Sequence, residues 1–266
     1  MISEKLPILE IKHLSSSYVV EYLMFFHKKT HALKEINFSI AQGETLAITG
    51  DAGSGKTTLL KILNGEKTNF QGQILIHDKP IQDYERIDRV KFIRAFFPNP
   101  DTAINPHLRI RQALMLPLKL NTDLTEKEIH RQIKRTLEYV GLPSHVQYYY
   151  PNSLTQNQRI RLSLAHALIL NPKILLVDAT IEKLDPQLKA HLINIFLDIQ
   201  EKFGTSIIIC LNDLALIEHI SDKILVLNHG NQEDYGNVKD IFNSPMSELT
   251  KRILISYQHE YHCKRP

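Results

Sequence analysis

The stretch "ETLAITGDAGSGKTTLLKILNG", Glu44 to Gly65, decides how the chain is read. Glu44–Thr49 is a short apolar run with the character of a buried strand, and "TTLLKILNG" has a helical pattern that stops at Gly65. Between them, Gly50–Thr58 fits G-x-x-x-x-G-K-[ST] in the strand–loop–helix setting its mechanism requires. Gly50, Gly53 and Gly55 let the backbone curl, so that the N–H groups along Asp51, Ala52, Ser54 and their neighbours turn towards phosphate oxygens. The helix N-terminus at Thr57 and Thr58 adds its positive dipole end. Lys56 has the reach to bridge β- and γ-phosphates, and the Thr57 hydroxyl is of the type that ligates Mg²⁺. At about 7% glycine per position, a chance match in a chain this long has odds of roughly one in a hundred. A nucleoside triphosphate site is therefore expected.

Working outward, further strands are expected at Pro7–Leu14, Ala32–Ile40, Gly72–Asp78 and Val90–Phe97, the second alternating apolar and polar with period two. From about Pro98 to Leu170 helical patterns dominate. Within them Ile129, Ile133, Leu137 and Val140 fall on one helix face. Strand and helix then alternate again: "KILLVD", a helix ended by Gly204, "TSIIIC", "DLALIEHIS", "KILVLNHG" and a closing helical stretch. Apolar strands separated by helices imply a largely parallel sheet buried on both faces, an α/β fold with an all-helical insert.

The 266 residues, 43% hydrophobic, suffice for a full core, and a net charge of +3 is too weak and dispersed to argue for nucleic acid. Two cysteines form no disulfide framework and suit a reducing compartment: Cys210 ends an apolar strand, and Cys263 lies in the tail. That tail carries His259, His262 and Cys263, which are metal-ligand types, but it reads as an unsupported terminus. No apolar run reaches the roughly 18 residues of a membrane span, and no secretory leader pattern opens the chain.

A second carboxylate-bearing element joins the loop. Asp178 ends the buried strand "ILLVD", a position from which an Asp holds Mg²⁺ beside such a loop, or else caps the turn that follows.

The order of these parts resembles the ATP-binding subunits of ABC transporters: the Gly50–Thr58 loop, the helical insert, "LTQNQ" at Leu154–Gln158 opening a helix, then "LLVD" and "LD". The resemblance covers nearly the whole chain and is nearest to the peptide-transport branch with its Sap-type (antimicrobial peptide) group. It is carried by "FFHKK" (Phe25–Lys29), Pro117–Leu142, "HISDKILVLNHG" (His219–Gly230) and "SPMSELTKRIL" (Ser244–Leu254).

The resemblance implies a P-loop NTPase of ABC type, with a mostly parallel core sheet and an antiparallel β subdomain. Residues 1–97 and 171–230 would form the core and β subdomain, 98–170 the helical insert and 231–266 a C-terminal extension. It implies ATP and Mg as ligands, with Tyr18 stacking on adenine. Leu154, Thr155, Gln156, Asn157 and Gln158 would form a signature offered to the nucleotide of a partner. It also implies a second, different ATP-binding subunit, transmembrane permease subunits met through the insert and the Pro98–Pro106 segment, and a peripheral place on the cytoplasmic face of the plasma membrane.

The departures from the family pattern are specific. Where the family has a glutamine beside the γ-phosphate stands Pro98, which has neither side-chain amide nor backbone donor. Gln156 and Asn157 replace two signature glycines, at which close backbone approach and unusual φ are expected to matter. Ala179 stands at the catalytic glutamate's place, and Asp213 where a histidine is expected. General-base assistance is worth roughly 10²–10⁴-fold, and a lost transition-state donor about another 10²–10³-fold. The expectation is a chain that binds ATP and hydrolyses it poorly, unless Glu182, three residues on, replaces the base. Alternatives are a non-hydrolytic assembly subunit, or a soluble ABC protein outside transport; the latter usually carries two such domains and a basic surface stripe.

Overall fold

The computed structural model describes residues 6–22, 26–98 and 104–262. Phe25, residues 99–103 of the Pro98–Pro106 segment, and Cys263 lie outside the described residues, as do the side chains of His259 and His262. The chain divides into two compact units: one runs up to Asp83 and resumes at Ile208, the other is Tyr84–Ile207.

In the first unit the period-two alternation of the sequence becomes an antiparallel hairpin. Strand β1 (Pro7–Tyr22) pairs with β2 (Phe26–Ala41), with Leu9 opposite Ile40 and Ile11 opposite Phe38. Ile36, Phe38 and Ile40 are buried while Asn37 and Ser39 between them are only half-buried, the alternation of a pleated strand with one face in the core. Strand β4 (Gln71–Ile76) pairs antiparallel with β1, and the short β5 (Lys79–Pro80) with β4. Fully buried β3 (Thr45–Thr49) lies parallel to β9 (Lys223–Asn228), which pairs antiparallel with β10 (Asn231–Asn237). The strand order in this unit is β5-β4-β1-β2-β10-β9-β3. Helix α1 (Lys56–Leu63) follows β3 and is held by buried Leu59, Leu60, Ile62 and Leu63.

The second unit holds α2 (Arg86–Phe92), β6 (Ile93–Phe96), α3 (Ile110–Asn121), α4 (Glu126–Tyr139), α5 (Gln156–Leu168), β7 (Ile174–Val177) and α6 (Pro186–Phe203). Strands β6 and β7 run parallel, Ile93 opposite Ile174 and Phe96 opposite Val177. The stripe Ile129, Ile133, Leu137 and Val140 is buried as its spacing requires. Helix α6 ends at Gly204 in the left-handed conformation, φ 62°. Phe196 of α6 meets Phe96 of β6 edge to face at 6.1 Å. Strand β8 (Ser206–Cys210) begins here, where Ser206 N–H donates to Lys173 O at 2.8 Å. It ends in the first unit, where Leu211 N–H donates to Ile48 O at 3.0 Å. Back in that unit, α7 (Leu214–Ile220), α8 (Val238–Asn243) and α9 (Glu248–His262) complete the chain.

The α/β class, the parallel core strands and the antiparallel β1–β2–β4 portion are as expected from the sequence. The strand expected over Val90–Phe97 is shorter: Val90, Lys91 and Phe92 finish helix α2, and only Ile93–Phe96 is extended. A short run such as "VKFIRAFF" is too brief to show a period that separates strand from helix, and the charged "ERIDR" before it suits the exposed helix α2, in which no residue is buried. Among the described residues no helix is long and apolar enough to cross a membrane, and no cluster of His, Cys, Asp or Glu is placed to hold a metal. Cys210 is buried.

Candidate nucleotide-binding site

The loop between β3 and α1 is built by glycine at the positions where the backbone turns left-handed: Gly50 at φ 141°, Gly53 at 80° and Gly55 at 112°. At two of them a side chain has no room. A Cβ on Gly50 would lie 2.0 Å from Leu227 O, and one on Gly55 would lie 2.6 Å from Ala32 O and 2.7 Å from Leu33 Cδ2. At Gly53 nothing lies within 4 Å, so the loop is open there. Gly230 N–H donates to Ser54 O at 3.0 Å, and Ser54 N–H to Asp51 O at 3.1 Å, fixing the base of the curve.

Helix α1 opens without a side-chain cap, and its first turn closes with Leu59 N–H donating to Gly55 O at 2.9 Å. The N–H groups of Lys56, Thr57 and Thr58 therefore lie ahead of any intrahelical acceptor, the arrangement that accepts an anion. Lys56 Nζ donates to the carbonyl of Gly50, to Asp51 O at 2.9 Å and to Ser54 Oγ at 3.3 Å. Among the described residues no carboxylate pairs with it, so its charge is answered by dipoles alone. The uncapped helix, the narrow glycine cradle, the unpaired cation and the exposed Thr57 hydroxyl fit a triphosphate with its Mg²⁺.

In the same unit, the Leu211–Ile48 bond sets residues 211–213 beside the end of β3, where Thr49 Oγ1 donates to Asn212 Oδ1 at 3.4 Å. Asp213 caps α7, its carboxylate accepting from Leu216 N–H at 3.1 Å. The acid at the expected histidine's place thus has a local structural task that the sequence reading missed. Tyr18, 49% exposed on β1, rims an open hollow of about 420 Å³ with Ser16, His31, Asn69 and Phe70. None of residues 50–58 lines that hollow.

In the second unit the parallel pairing of β6 and β7 brings Pro98, Asp178 and Ala179 to one end of two adjacent strands, with Asp178 N–H donating to Phe96 O at 3.3 Å. Ser163 Oγ of α5 donates to Phe97 O at 3.2 Å beside the buried Pro98. Asp178 caps the turn Ala179–Lys183: its Oδ2 accepts from Thr180 N–H at 3.2 Å and from Thr180 Oγ1 at 3.0 Å. Both sequence alternatives for Asp178 begin from this geometry, since Oδ1 takes no part in the cap. Glu182 lies in the same short turn, half-buried.

The signature segment is a regular helix start. Thr155 Oγ1 accepts from Gln158 N–H at 3.3 Å while Gln158 Oε1 accepts from Thr155 N–H at 3.0 Å, a reciprocal capping box. Leu154 is buried; Gln156 and Asn157 are exposed in the first turn. Neither has positive φ, which corrects the expectation of an unusual backbone there: the first turn of a helix asks nothing that glycine alone supplies. What their side chains change is how closely another surface approaches.

The ABC transporter family model matches residues 33–182. Over 251 residues, 94% of this chain and 93% of the relative, the sequence is 40% identical to the putrescine export system ATP-binding protein SapF of Escherichia coli K12. The peptide transport system ATP-binding protein SapF of Shigella flexneri matches to the same extent. The dipeptide transport ATP-binding protein DppF of E. coli K12 is 31% identical over 93% of this chain and 75% of its own. Among solved structures, cbiO1 of Clostridium perfringens, part of the ABC transporter complex cbiONQ, superposes with a TM-score of 0.75 at 28% identity, covering 97% of this chain and 98% of that one.

Proposed function

The chain belongs to the ABC transporter family, and on that premise we propose that it is the ATP-binding subunit of a peptide-type transporter that grips Mg-ATP but cuts it slowly in its own site. The single observation that carries the grip is Lys56, a cation without a carboxylate partner among the described residues, inside a cradle formed by three left-handed glycines and an uncapped helix. Thr57 and Asp178 supply the metal side, and Tyr18 stacks on the base. The slow cutting rests on Ala179, which neither accepts a proton nor orients water, together with Pro98 and Asp213. Losing one base alone costs roughly 10²–10⁴-fold, and the effects of groups acting as a unit do not simply add.

On this reading the chain is one cassette, with core and β subdomain in 1–97 and 171–230, an insert in 98–170 and an extension in 231–266. A second, different ATP-binding subunit receives the Leu154–Gln158 signature, and ATP holds the pair together. Permease subunits connect it to the membrane, on whose cytoplasmic face it sits without entering. The names of its relatives divide between peptide and putrescine. Peptide is the cargo class proposed, and nucleotide turnover by the reconstituted complex, stimulated by peptide and not by putrescine, tests it.

Calorimetric titration of the isolated chain with a non-hydrolysable ATP analogue tests the site. Lys56→Ala removes binding, and Asp178→Asn weakens it in magnesium but not in EDTA. Equal affinity of Asp178→Asn in magnesium takes Asp178 out of the metal shell; full affinity of Lys56→Ala contradicts the loop assignment. If the complex turns ATP over equally with and without this chain, the chain is an assembly subunit and not a motor.

A further inference from the structure

At the end of β7 opposite Asp178, the second unit contains a cavity of about 250 Å³. Gln132, Arg135, Thr136 and Tyr139 of α4 form one wall, and Leu168, Ile199 and Phe203, near the C-terminal ends of α5 and α6, supply apolar surface. Lys173, in the turn that leads into β7, completes the rim. An apolar cavity of roughly 150 Å³ takes a benzene molecule, so this one has room for an aromatic ring with a short polar arm. It is smaller than the roughly 300–1,000 Å³ of pockets for drug-sized ligands.

Its chemistry is one-sided. The nearby lysines Lys134 and Lys202 pair with Glu138 and Asp198 at 4.0 and 2.6 Å. Arg135 and Lys173 have no carboxylate partner among the described residues. The Arg135 guanidinium lies 6.0 Å from the centroid of the Phe203 ring, whose edge-to-face contact with Tyr139 is at 5.8 Å. The Tyr139 hydroxyl is withdrawn from water without a hydrogen-bond partner, a cost the fold bears with no return inside the protein. Gln132 Nε2 is spent on Ile169 O and Asn171 Oδ1, both at 3.3 Å, so the charged donors at the cavity are those of Arg135 and Lys173.

We propose that this cavity is a binding site for a small aromatic carboxylate, its ring against Leu168, Ile199 and Phe203 and its anionic arm taken by Arg135 and Lys173. Two cations without a carboxylate partner among the described residues disfavour a cationic ligand, and the surface of Leu168, Ile199 and Phe203 favours a ligand with an apolar body over a bare inorganic anion. The guanidinium fork suits a carboxylate's two oxygens. Because both cations are exposed, solvent screening keeps the charge contribution modest.

The test uses the purified full chain and two probes of similar size, 3-phenylpropionate and the neutral 3-phenylpropan-1-ol, titrated by saturation-transfer NMR. The acid binds saturably and about three- to tenfold more tightly than the alcohol. In the Arg135→Met/Lys173→Met double variant that preference disappears while binding of the alcohol is retained. Both changes are at exposed positions, and an unchanged circular dichroism spectrum and melting curve confirm that the variant is folded. Equal binding of acid and alcohol to the unaltered chain, a preference that survives the double substitution, or no saturable binding of the acid overturns the proposal.

Discussion

Two glycines of the phosphate loop should separate what the fold needs from what the ligand needs. At Gly55, alanine meets both a left-handed φ of 112° and backbone atoms: its Cβ falls 2.6 Å from Ala32 O, which is anchored in β2 and has little freedom to move away. Left-handed strain costs about 1–2 kcal/mol, and overpacking about another 1–3 kcal/mol, so Gly55→Ala loses about 2–5 kcal/mol of stability. At Gly53 the φ of 80° brings the same strain, but no atom lies within 4 Å, and Gly53→Ala loses only about 1–2 kcal/mol. The open space at Gly53 is where the proposed phosphate passes, so the smaller change in stability accompanies the clearer loss of nucleotide. Urea denaturation gives the first quantity, and calorimetric titration with a non-hydrolysable ATP analogue gives the second. At Gly53→Ala, affinity falls by more than tenfold while the urea midpoint moves less than at Gly55→Ala. Equal destabilisation at the two positions, or full affinity in a folded Gly53→Ala protein, refutes the reasoning.

Other consequences are more local. Asp213→Ala removes the cap of α7 and lowers stability by about 1 kcal/mol, whereas Asp213→Asn, which still accepts from Leu216 N–H, stays near the parent in thermal melts. Burial, with a smaller contribution from the Arg94 guanidinium, holds the His166 imidazole down at about 4. A histidine titrating lower when folded contributes stability that is complete above its unfolded value near 6.5. That stability is lost as pH falls towards 4, so urea midpoints of the parent drop over this window and those of His166→Gln drop less. Ala179→Glu raises phosphate release only slightly, because Pro98 and Asp213 remain; recovery of full turnover by that one change would show the other two positions to be harmless.

The loop at Gly50–Thr58 was readable without a structure because its function depends on local backbone conformation, which glycine spacing encodes directly. The buried face of α4 and the stop at Gly204 were readable for the same reason: a period and a left-handed cap are short-range properties. Val90–Phe92 was not, since the interrupted apolar pattern of "VKFIRAFF" fits the last turn of a helix as well as the start of a strand. The cap at Asp178 was one of the two readings that a strand-end Asp allows, whereas that of Asp213 was hidden because a cap exists only where the chain leaves a strand, a boundary that sequence places to within a few residues. "TQNQ" carried the capping-box pattern openly, yet comparison with a glycine-bearing signature drew attention to φ, where no strain occurs. The cavity beside Tyr139 had no sequence signal, because its walls come from three helices and a turn far apart in the chain.

The separation of holding from cutting is tested most directly by one rapid-mixing experiment: excess isolated chain, radiolabelled ATP and magnesium, with bound nucleotide and released phosphate measured from the same samples. The account predicts that ATP binds to saturation and remains intact, with release slower by at least about 10²-fold than from a subunit that has the catalytic glutamate. Phosphate appearing as fast as from such a subunit, or no bound ATP at saturating magnesium, would contradict it.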